Sequence, residues 1–291
     1  MQATRTAPPA EAVTTDWALL LPLDTQAILR VDLARIRASR HRAALATLLV
    51  PLVQSVRQDA SAERITELVD RTDTLLLAMV PDERGEDDAL IFVAGGVTLE
   101  ELAGAAYGSE ARRERIDGHD AFVGPDGACA ARLAPEQLVM ASSVSMLRAT
   151  LARTRMRSTG ARWPRPLRAA AAQADVEGAT FGAIVGSIPL DEMAPGGGSI
   201  AGALGADLDD ALELRASLHA PDEQTAALFA MGVEMLLGTI GSEGPALRAL
   251  VDAARVRVDG STVRVEATLD AERTQEILPA LIDAVRAALA E

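Results

Sequence analysis

The sequence predicts an α+β fold built from two diverged repeats, each an antiparallel sheet with helices packed on one face. Two turn signatures recur at nearly equal offsets: Pro81-Asp82-Glu83 returns as Pro221-Asp222-Glu223, and Asp117-Gly118 returns as Asp259-Gly260. Asp-Gly between strand-like residues is typical of a β-hairpin. Alternating apolar stretches are interspersed with amphipathic helical ones, which favours a mixed fold in which strands and helices share a core.

The best domain boundary is the stretch 158–166, where Gly160, Pro164 and Pro166 interrupt regular structure. We therefore predict a disordered tether over 1–17, a first α+β repeat over 18–157, a linker over 158–166 and a second repeat over 167–291. Because the linker is short, we expect the two units to pack together and to share a continuous sheet.

The first repeat begins with a strand over 27–33, whose apolar residues alternate. Thr98, followed three residues later by Glu101, has the spacing of a capping box at a helix start. Asp117-Gly118 predicts a hairpin over 115–123. The other predicted strands cover 74–80, 89–97, 128–133 and 137–141, and the other predicted helices cover 41–58, 62–71 and 143–153.

The second repeat is predicted to begin with a strand over 180–188, followed by a flexible Gly-rich loop over 195–199. A hairpin should pass through Asp259-Gly260, and Asp270 should cap the last helix. The remaining predictions are a strand over 211–219 and helices over 222–238 and 245–254. Met231 and Met235 lie four residues apart on the first of these helices, where we expect core packing rather than an adaptable groove.

Composition excludes several classes of protein. All 28 basic residues are arginine, so no lysine can form a Schiff base or serve a P-loop. The net charge of −14 disfavours nucleic acid as a partner, because such a protein repels phosphate backbones. No run of 18 apolar residues occurs, which predicts that no segment crosses a membrane.

The candidate catalytic and metal-binding residues form no recognisable pattern. His119 lies near Cys129 in sequence and could form a nucleophile–base pair, but an exposed hairpin histidine and a small buried cysteine are the favoured interpretation. Acidic clusters at 86–88 and 207–210 could hold Ca²⁺, yet they lack the order of a calcium-binding loop, and solvated turns are favoured. We predict no catalytic residue, no metal site and no cofactor.

A basic segment joins the two repeats. Seven arginines fall between Arg148 and Arg168, and no acid occurs from residue 137 to residue 174. Guanidinium groups suit phosphates and carboxylates, and an indole can insert at an interface, so this segment is a candidate contact for a protein or anionic partner. Pairing with the protein's own acidic surface is the favoured alternative. The candidate partner-binding residues are Arg153, Arg155, Arg157, Arg162, Trp163 and Arg165.

The order of elements resembles a family of uncharacterised cell-envelope proteins and predicted lipoproteins of high-GC Gram-negative bacteria. The resemblance lies in Leu21-Pro22-Leu23-Asp24-Thr25 leading into the first strand, and in Ala220-Pro221-Asp222-Glu223 opening an Ala-rich helix. A shorter helix, a hairpin and a terminal amphipathic helix then follow in the same order. The resemblance implies a periplasmic or membrane-anchored lipoprotein if a signal peptide precedes the chain, and a cytoplasmic protein otherwise.

The function predicted from these observations is that of a non-catalytic binding or scaffolding protein of the cell envelope. Two alternatives stay open. One is a hydrolase-like enzyme whose site is assembled only in the fold, and the other is a cytoplasmic interaction module that uses the Arg-rich segment 148–168.

Overall fold

The fold is α+β, and it is organised around a single antiparallel sheet of 12 strands. The computed structural model describes residues 20–22, 24–45, 62–81, 87–155, 165–189, 199–209, 211–242 and 244–290. The strands are β1 Ala27–Asp32, β2 Thr72–Pro81, β3 Asp87–Gly95, β4 Arg112–Ile116, β5 His119–Val123, β6 Cys129–Ala134, β7 Gln137–Ala141, β8 Phe181–Pro189, β9 Ser199–Leu208, β10 Leu212–His219, β11 Arg255–Asp259 and β12 Thr262–Leu269.

The helices connect these strands. They are α1 Leu33–Ala38, α2 Ala62–Arg71, α3 Leu99–Tyr107, α4 Val144–Arg155, α5 Arg165–Gln173, α6 Glu223–Ser242, α7 Pro245–Ala253 and α8 Ala271–Ala290. The predicted caps are present: Thr98 and Glu101 form the capping box of α3, and Asp270 accepts a hydrogen bond from the backbone N–H of Arg273 at the start of α8. The predicted tether over 1–17, most of the helix over 41–58 and most of the loop over 195–199 lie outside the described residues.

The strand order across the sheet is β11-β12-β10-β9-β8-β1-β2-β3-β7-β6-β5-β4. β1 and β8 pair antiparallel at the centre, with Leu29 opposite Ala183. From this pair, β1-β2-β3 and β8-β9-β10 extend as three-strand meanders in opposite directions. The sheet therefore runs without interruption between the two predicted repeats, as the short linker predicts. Most of that linker lies outside the described residues, so the division into two units stays a prediction.

The prediction that helices cover only one sheet face is wrong. Leu90 and Phe92 of β3 pack in the core beneath α4 and α5, whereas Ile91 and Val93 face the opposite way, toward the core beneath α3. Because neighbouring residues of a strand point to opposite faces, this strand is apolar on both sides. A sheet with two apolar faces needs cover on both, which α4 and α5 provide on one face and α1, α2, α3, α6, α7 and α8 on the other.

The two repeated turn signatures occupy different places in the fold. Asp117 and Gly118 are the two central residues of the β4–β5 turn, with φ of 50° and 87°, as a type I′ turn requires. In the β11–β12 hairpin, Asp259 still pairs with Thr262, so the central residues are Gly260 and Ser261. Pro81 ends the second strand of its meander, whereas Pro221 follows the third, and Asp82 and Glu83 lie outside the described residues.

Candidate functional site

The most unusual surface in the described part of the chain is the outer face of α6. This helix has 20 residues, which corresponds to a length of about 30 Å. Asp222 begins it by accepting a hydrogen bond from the backbone N–H of Thr225 at 2.7 Å, and this bond lowers the pKa of the carboxyl. Gly244 and Pro245 end it and start α7, because proline is compatible with the first turn of a helix.

The inner face of α6 is narrow, and both of its buried residues are alanines. Ala226 and Ala230 are buried, and with the half-buried Phe229 they pack on Val263 of β12 and Val256 of β11. These residues hold the helix against the sheet through only one stripe of its surface. The residues on the opposite side of the helix face solvent.

The outer stripe is apolar instead of polar. Leu228, Met231 and Met235 are spaced i, i+3 and i+7, which places them on one face of the helix, and Leu236 lies at its edge. Their exposed fractions are 59%, 56%, 73% and 58%, respectively. The expectation that Met231 and Met235 belong to the core is therefore wrong. We call these four side chains the α6 face.

The α6 face gathers a large share of the exposed apolar side chains. Four of the eight large apolar residues exposed in the described chain belong to it. A fifth, Val258, is 47% exposed on β11 and points to the same side of the sheet as Val256, which α6 covers. Single exposed apolar residues are ordinary, but a contiguous group of this kind marks an interaction surface.

A cleft lies at the carboxyl end of α6, where the helix meets α7. Its volume is about 590 Å³, and it is lined by Gly238, Gly241, Ser242, Gly244, Arg248, Val251 and Asp252. A second hollow of about 380 Å³ lies between α2 and α3, where the Arg71 guanidinium pairs with Glu101. Only the first hollow adjoins an exposed apolar surface, so the α6 face with its cleft is the better candidate for a binding site.

The sequence of α6 also has the length and composition of a helix that could cross a membrane. It is the one such helix among the described residues, and 11% of its apolar window is buried. In the structure it packs on the sheet through Ala226 and Ala230. The prediction that no segment crosses a membrane therefore stays a prediction.

The structure does not bring the candidate catalytic residues together. Strand register places Val123 opposite Cys129, while His119 lies four residues further along β5 and contacts the carbonyl oxygen of Arg132 through Nδ1. Cys129 is fully buried, and burial raises the pKa of its thiol to about 12, with a smaller contribution from Asp126. A thiol in this environment is protonated at neutral pH, which does not suit a nucleophile.

The predicted acidic clusters have different roles. Asp207 and Asp209 pair with the guanidinium of Arg35 at 2.9 and 3.0 Å, and Asp88 accepts a hydrogen bond from Ser142 at 2.6 Å. Glu86 and Asp210 lie outside the described residues. Within the described part of the chain, no three His, Cys, Asp or Glu side chains are grouped so that they could hold a metal ion.

The structure describes the two ends of the Arg-rich segment, residues 148–155 and 165–168. Arg153 is half-buried on α4, and Arg155 and Arg165 are the last residue of α4 and the first of α5. The side chains of Arg155 and Arg165, together with Arg157, Arg162 and Trp163, lie outside the described residues. The proposal that this segment contacts an anionic partner therefore stays a proposal.

The comparisons with known proteins identify the fold. No protein-family model and no curated protein sequence matches the chain. Among solved structures, crystal form I of TP0453 matches with a TM-score of 0.53 at 14% identity, over 92% of this chain and 98% of that one. Crystal form III of TP0453 matches with a TM-score of 0.51 at 14% identity, over 90% and 97%. The chain is thus similar to TP0453 in overall fold across nearly its whole length.

Proposed function

We propose that this protein is a non-catalytic binding or scaffolding protein of the bacterial cell envelope, and that the α6 face is its binding surface. The observation that carries the proposal is the solvent exposure of Leu228, Met231, Met235 and Leu236 on one side of a folded helix. Exposing such side chains to water is unfavourable, by about 25 cal/mol per Å² of apolar surface. A partner that covers the α6 face recovers this free energy on binding.

Support for the non-catalytic part of the proposal comes from Cys129 and His119. The register separates them, and the thiol is buried and donates a hydrogen bond to the carbonyl oxygen of Ser143 at 3.4 Å. The cell-envelope part rests on the sequence resemblance. The acylated or periplasmic location implied by that resemblance is part of the same proposal.

We also propose that the sheet arose from two diverged repeats. Two features support a duplication: the antiparallel pairing of β1 with β8, and the meander that extends from each. In both halves a helix follows the third strand of the meander and packs on the same sheet face, α3 in the first and α6 in the second. The repeats form a scaffold, and the proposed binding surface lies on a helix that has 20 residues in the second half and nine in the first.

Site-specific crosslinking in the native cell tests the binding function. A benzophenone amino acid placed at Leu228 is expected to give a discrete adduct, because that side chain is 59% exposed and belongs to the α6 face. The matched control places the same amino acid at Met79, which is 38% exposed on β2, away from α6. The proposal is contradicted if Leu228 gives no adduct, or if both positions give the same adducts.

A further inference from the structure

The α6 face is bordered by negative charge. Residues 222–253, which span α6 and α7, contain five acids but a single base, Arg248. Asp222 and Glu223 are exposed at the start of α6, and Glu234 is exposed between Met231 and Met235. Arg255 and Arg257 of β11 alternate with the two valines on the α6 side, so they lie on the opposite face of the sheet. The apolar surface therefore has an acidic border.

This charge distribution disfavours two possible occupants. Helices that lie on membranes are rich in Lys and Arg on their polar side, whereas α6 contains no basic residue, and membrane surfaces are themselves anionic. A second copy of this chain would bring two acidic borders together, in a protein whose net charge is already −14. Both arrangements would bury the apolar side chains, but both would bring like charges together.

Two glycines on α6 indicate that the occupant approaches the helix backbone closely. Gly232 and Gly238 are exposed, and a Cβ at either position would meet nothing within 4 Å. Glycine inside a helix is destabilising by roughly 0.5–1 kcal/mol relative to alanine. No contact within the described chain offsets this cost, but close approach of another helix would use the missing side chains.

We propose that the α6 face binds an amphipathic helix of a partner protein, with Leu-like residues on one side and Lys or Arg on the other. This inference rests on the proposed function and names the chemistry of the partner. An amphipathic helix buries its apolar side in a complementary apolar groove, and methionine side chains adapt to differently shaped partners. Basic residues at the edge of the partner helix face Glu223 and Glu234.

The cleft between α6 and α7 receives one end of the partner helix. Its lining by Gly238, Gly241 and Gly244 keeps it open, and Arg248 and Asp252 lie on its α7 side. The partner helix therefore lies along α6 with one end at the cleft and its basic residues along the acidic border.

The test uses the full chain and a labelled 20-residue peptide with leucines at helical i, i+3, i+4 and i+7 spacing and lysines elsewhere. Binding is measured by fluorescence anisotropy, beside a counterpart peptide with glutamate in place of every lysine. The lysine peptide is expected to bind at least tenfold more tightly than the glutamate peptide. The double variant Met231→Gln, Met235→Gln should weaken lysine-peptide binding at least tenfold, and Met79→Gln should change it less than twofold.

A glycine variant separates docking from folding. Gly232→Leu places a good helix former where no neighbour obstructs it, so the protein should fold with an unchanged or higher Tm. The same variant should weaken lysine-peptide binding at least tenfold, because the leucine prevents close approach. If Gly232 has only a structural role, peptide affinity will not change, and the proposed geometry is wrong.

Three outcomes overturn the inference. The first is equal binding of the lysine and glutamate peptides, or binding that survives the double methionine variant. The second is a dimer in sedimentation velocity that the same variant dissociates, which would make a second copy the occupant. The third is flotation with phosphatidylcholine–phosphatidylglycerol vesicles that depends on Met231 and Met235. A protein adduct from the Leu228 crosslinker without lysine-peptide binding would leave the proposed function standing and reject this inference alone.

Discussion

Replacing Asp207 with alanine is expected to lower the free energy of unfolding by about 2–4 kcal/mol. Asp207 lies near the end of β9, and its side chain is 16% exposed. It accepts hydrogen bonds from the backbone N–H of Thr180 at 3.1 Å and from the Thr180 hydroxyl at 3.4 Å. It also pairs with Arg35 at 2.9 Å and with Arg215 at 3.4 Å. The Asp207 carboxylate thus connects β9 with α1, with β10 and with the residue that precedes β8.

The magnitude follows from what the alanine variant leaves behind. Thr180 is 1% exposed, so its N–H loses its partner in a site that water does not reach, at a cost of about 1–3 kcal/mol. The two guanidiniums are about one-third exposed, and each keeps another acid, Asp209 for Arg35 and Glu213 for Arg215. Their loss therefore adds only about 0–1 kcal/mol each. The buried hydrogen bond should account for most of the effect.

Urea unfolding, monitored by circular dichroism, measures the difference in the free energy of unfolding. An unchanged m-value shows that the folded and unfolded states of the variant expose the same surface as those of the parent protein. Asp207→Asn keeps an acceptor for Thr180 and removes only the charge, so it should cost roughly half as much as Asp207→Ala or less. Asp209→Asn is the matched control, since Asp209 is 66% exposed and pairs only with Arg35 among the contacts described above. Equal losses in Asp207→Asn and Asp207→Ala would refute the reasoning, because the ion pairs would then dominate.

Two further predictions concern pKa shifts. Burial raises the pKa of the Cys129 thiol from 9.0 to about 12, so iodoacetamide at pH 8 should not modify the native protein but should alkylate the protein unfolded in urea. Mass spectrometry measures the extent of alkylation. Rapid alkylation of the native protein would contradict the burial of Cys129. The thiol's contribution to stability should be complete below pH 9 and lost as the pH rises toward 12. The hydrogen bond from Arg71, and then those from Thr98, lower the pKa of Glu101 from 4.5 to about 2. The Glu101 carboxylate, whose side chain is 40% exposed, should therefore contribute about 1 kcal/mol to the free energy of unfolding. This contribution should be present above pH 4.5 and lost as the pH falls toward 2. In thermal melts between pH 2 and pH 5, Glu101→Gln should reduce the fall in Tm as the pH is lowered. An unchanged dependence of Tm on pH would show that the ionised Glu101 does not stabilise the protein.

The elements that sequence predicts correctly are those whose signals are local. The α3 capping box depends on two residues three positions apart, and the β4–β5 hairpin depends on Asp117 and Gly118 adopting positive φ. Such features are determined within one turn of chain, so no knowledge of the rest of the fold is needed. The strands β1, β2, β3 and β10 were also predictable, because their apolar residues are dense or alternate.

Among the elements that escaped prediction are β9 and α5, whose composition resembles that of a loop or linker. β9 reads Ser-Ile-Ala-Gly-Ala-Leu-Gly-Ala-Asp-Leu, which resembles a loop by composition. Its Gly205 is required by packing, since a Cβ there would collide with the carbonyl oxygen of Ala174 just after α5. Helix α5 begins among prolines that suggest a linker, yet Pro166 stands in the first turn, where proline is tolerated. The roles of Gly205 and Pro166 can be assigned only when the neighbouring elements of the fold are known.

The exposure of the α6 face was not predictable from periodicity. A helical stripe of Leu and Met has the same pattern whether it faces the core or solvent, and the buried stripe of α6 consists mainly of alanines, which give a weaker signal. The sheet side of α6 needs small residues because the helix lies close to Val263 and Val256. The spacing of Met231 and Met235 therefore favours the core, although the helix buries its alanines there.

The comparison of α3 with α6 supports the proposal that α6 carries the binding surface. Each helix follows the third strand of a meander and packs on the same sheet face. α3 has nine residues and buries Leu99, Leu102 and Tyr107, so its large side chains stabilise the core. α6 has 20 residues, buries only two alanines fully and exposes Leu228, Met231, Met235 and Leu236. If the halves descend from one unit, this helix has diverged both in length and in the side that carries most of its large apolar residues. Exposing such residues lowers stability unless a partner covers them.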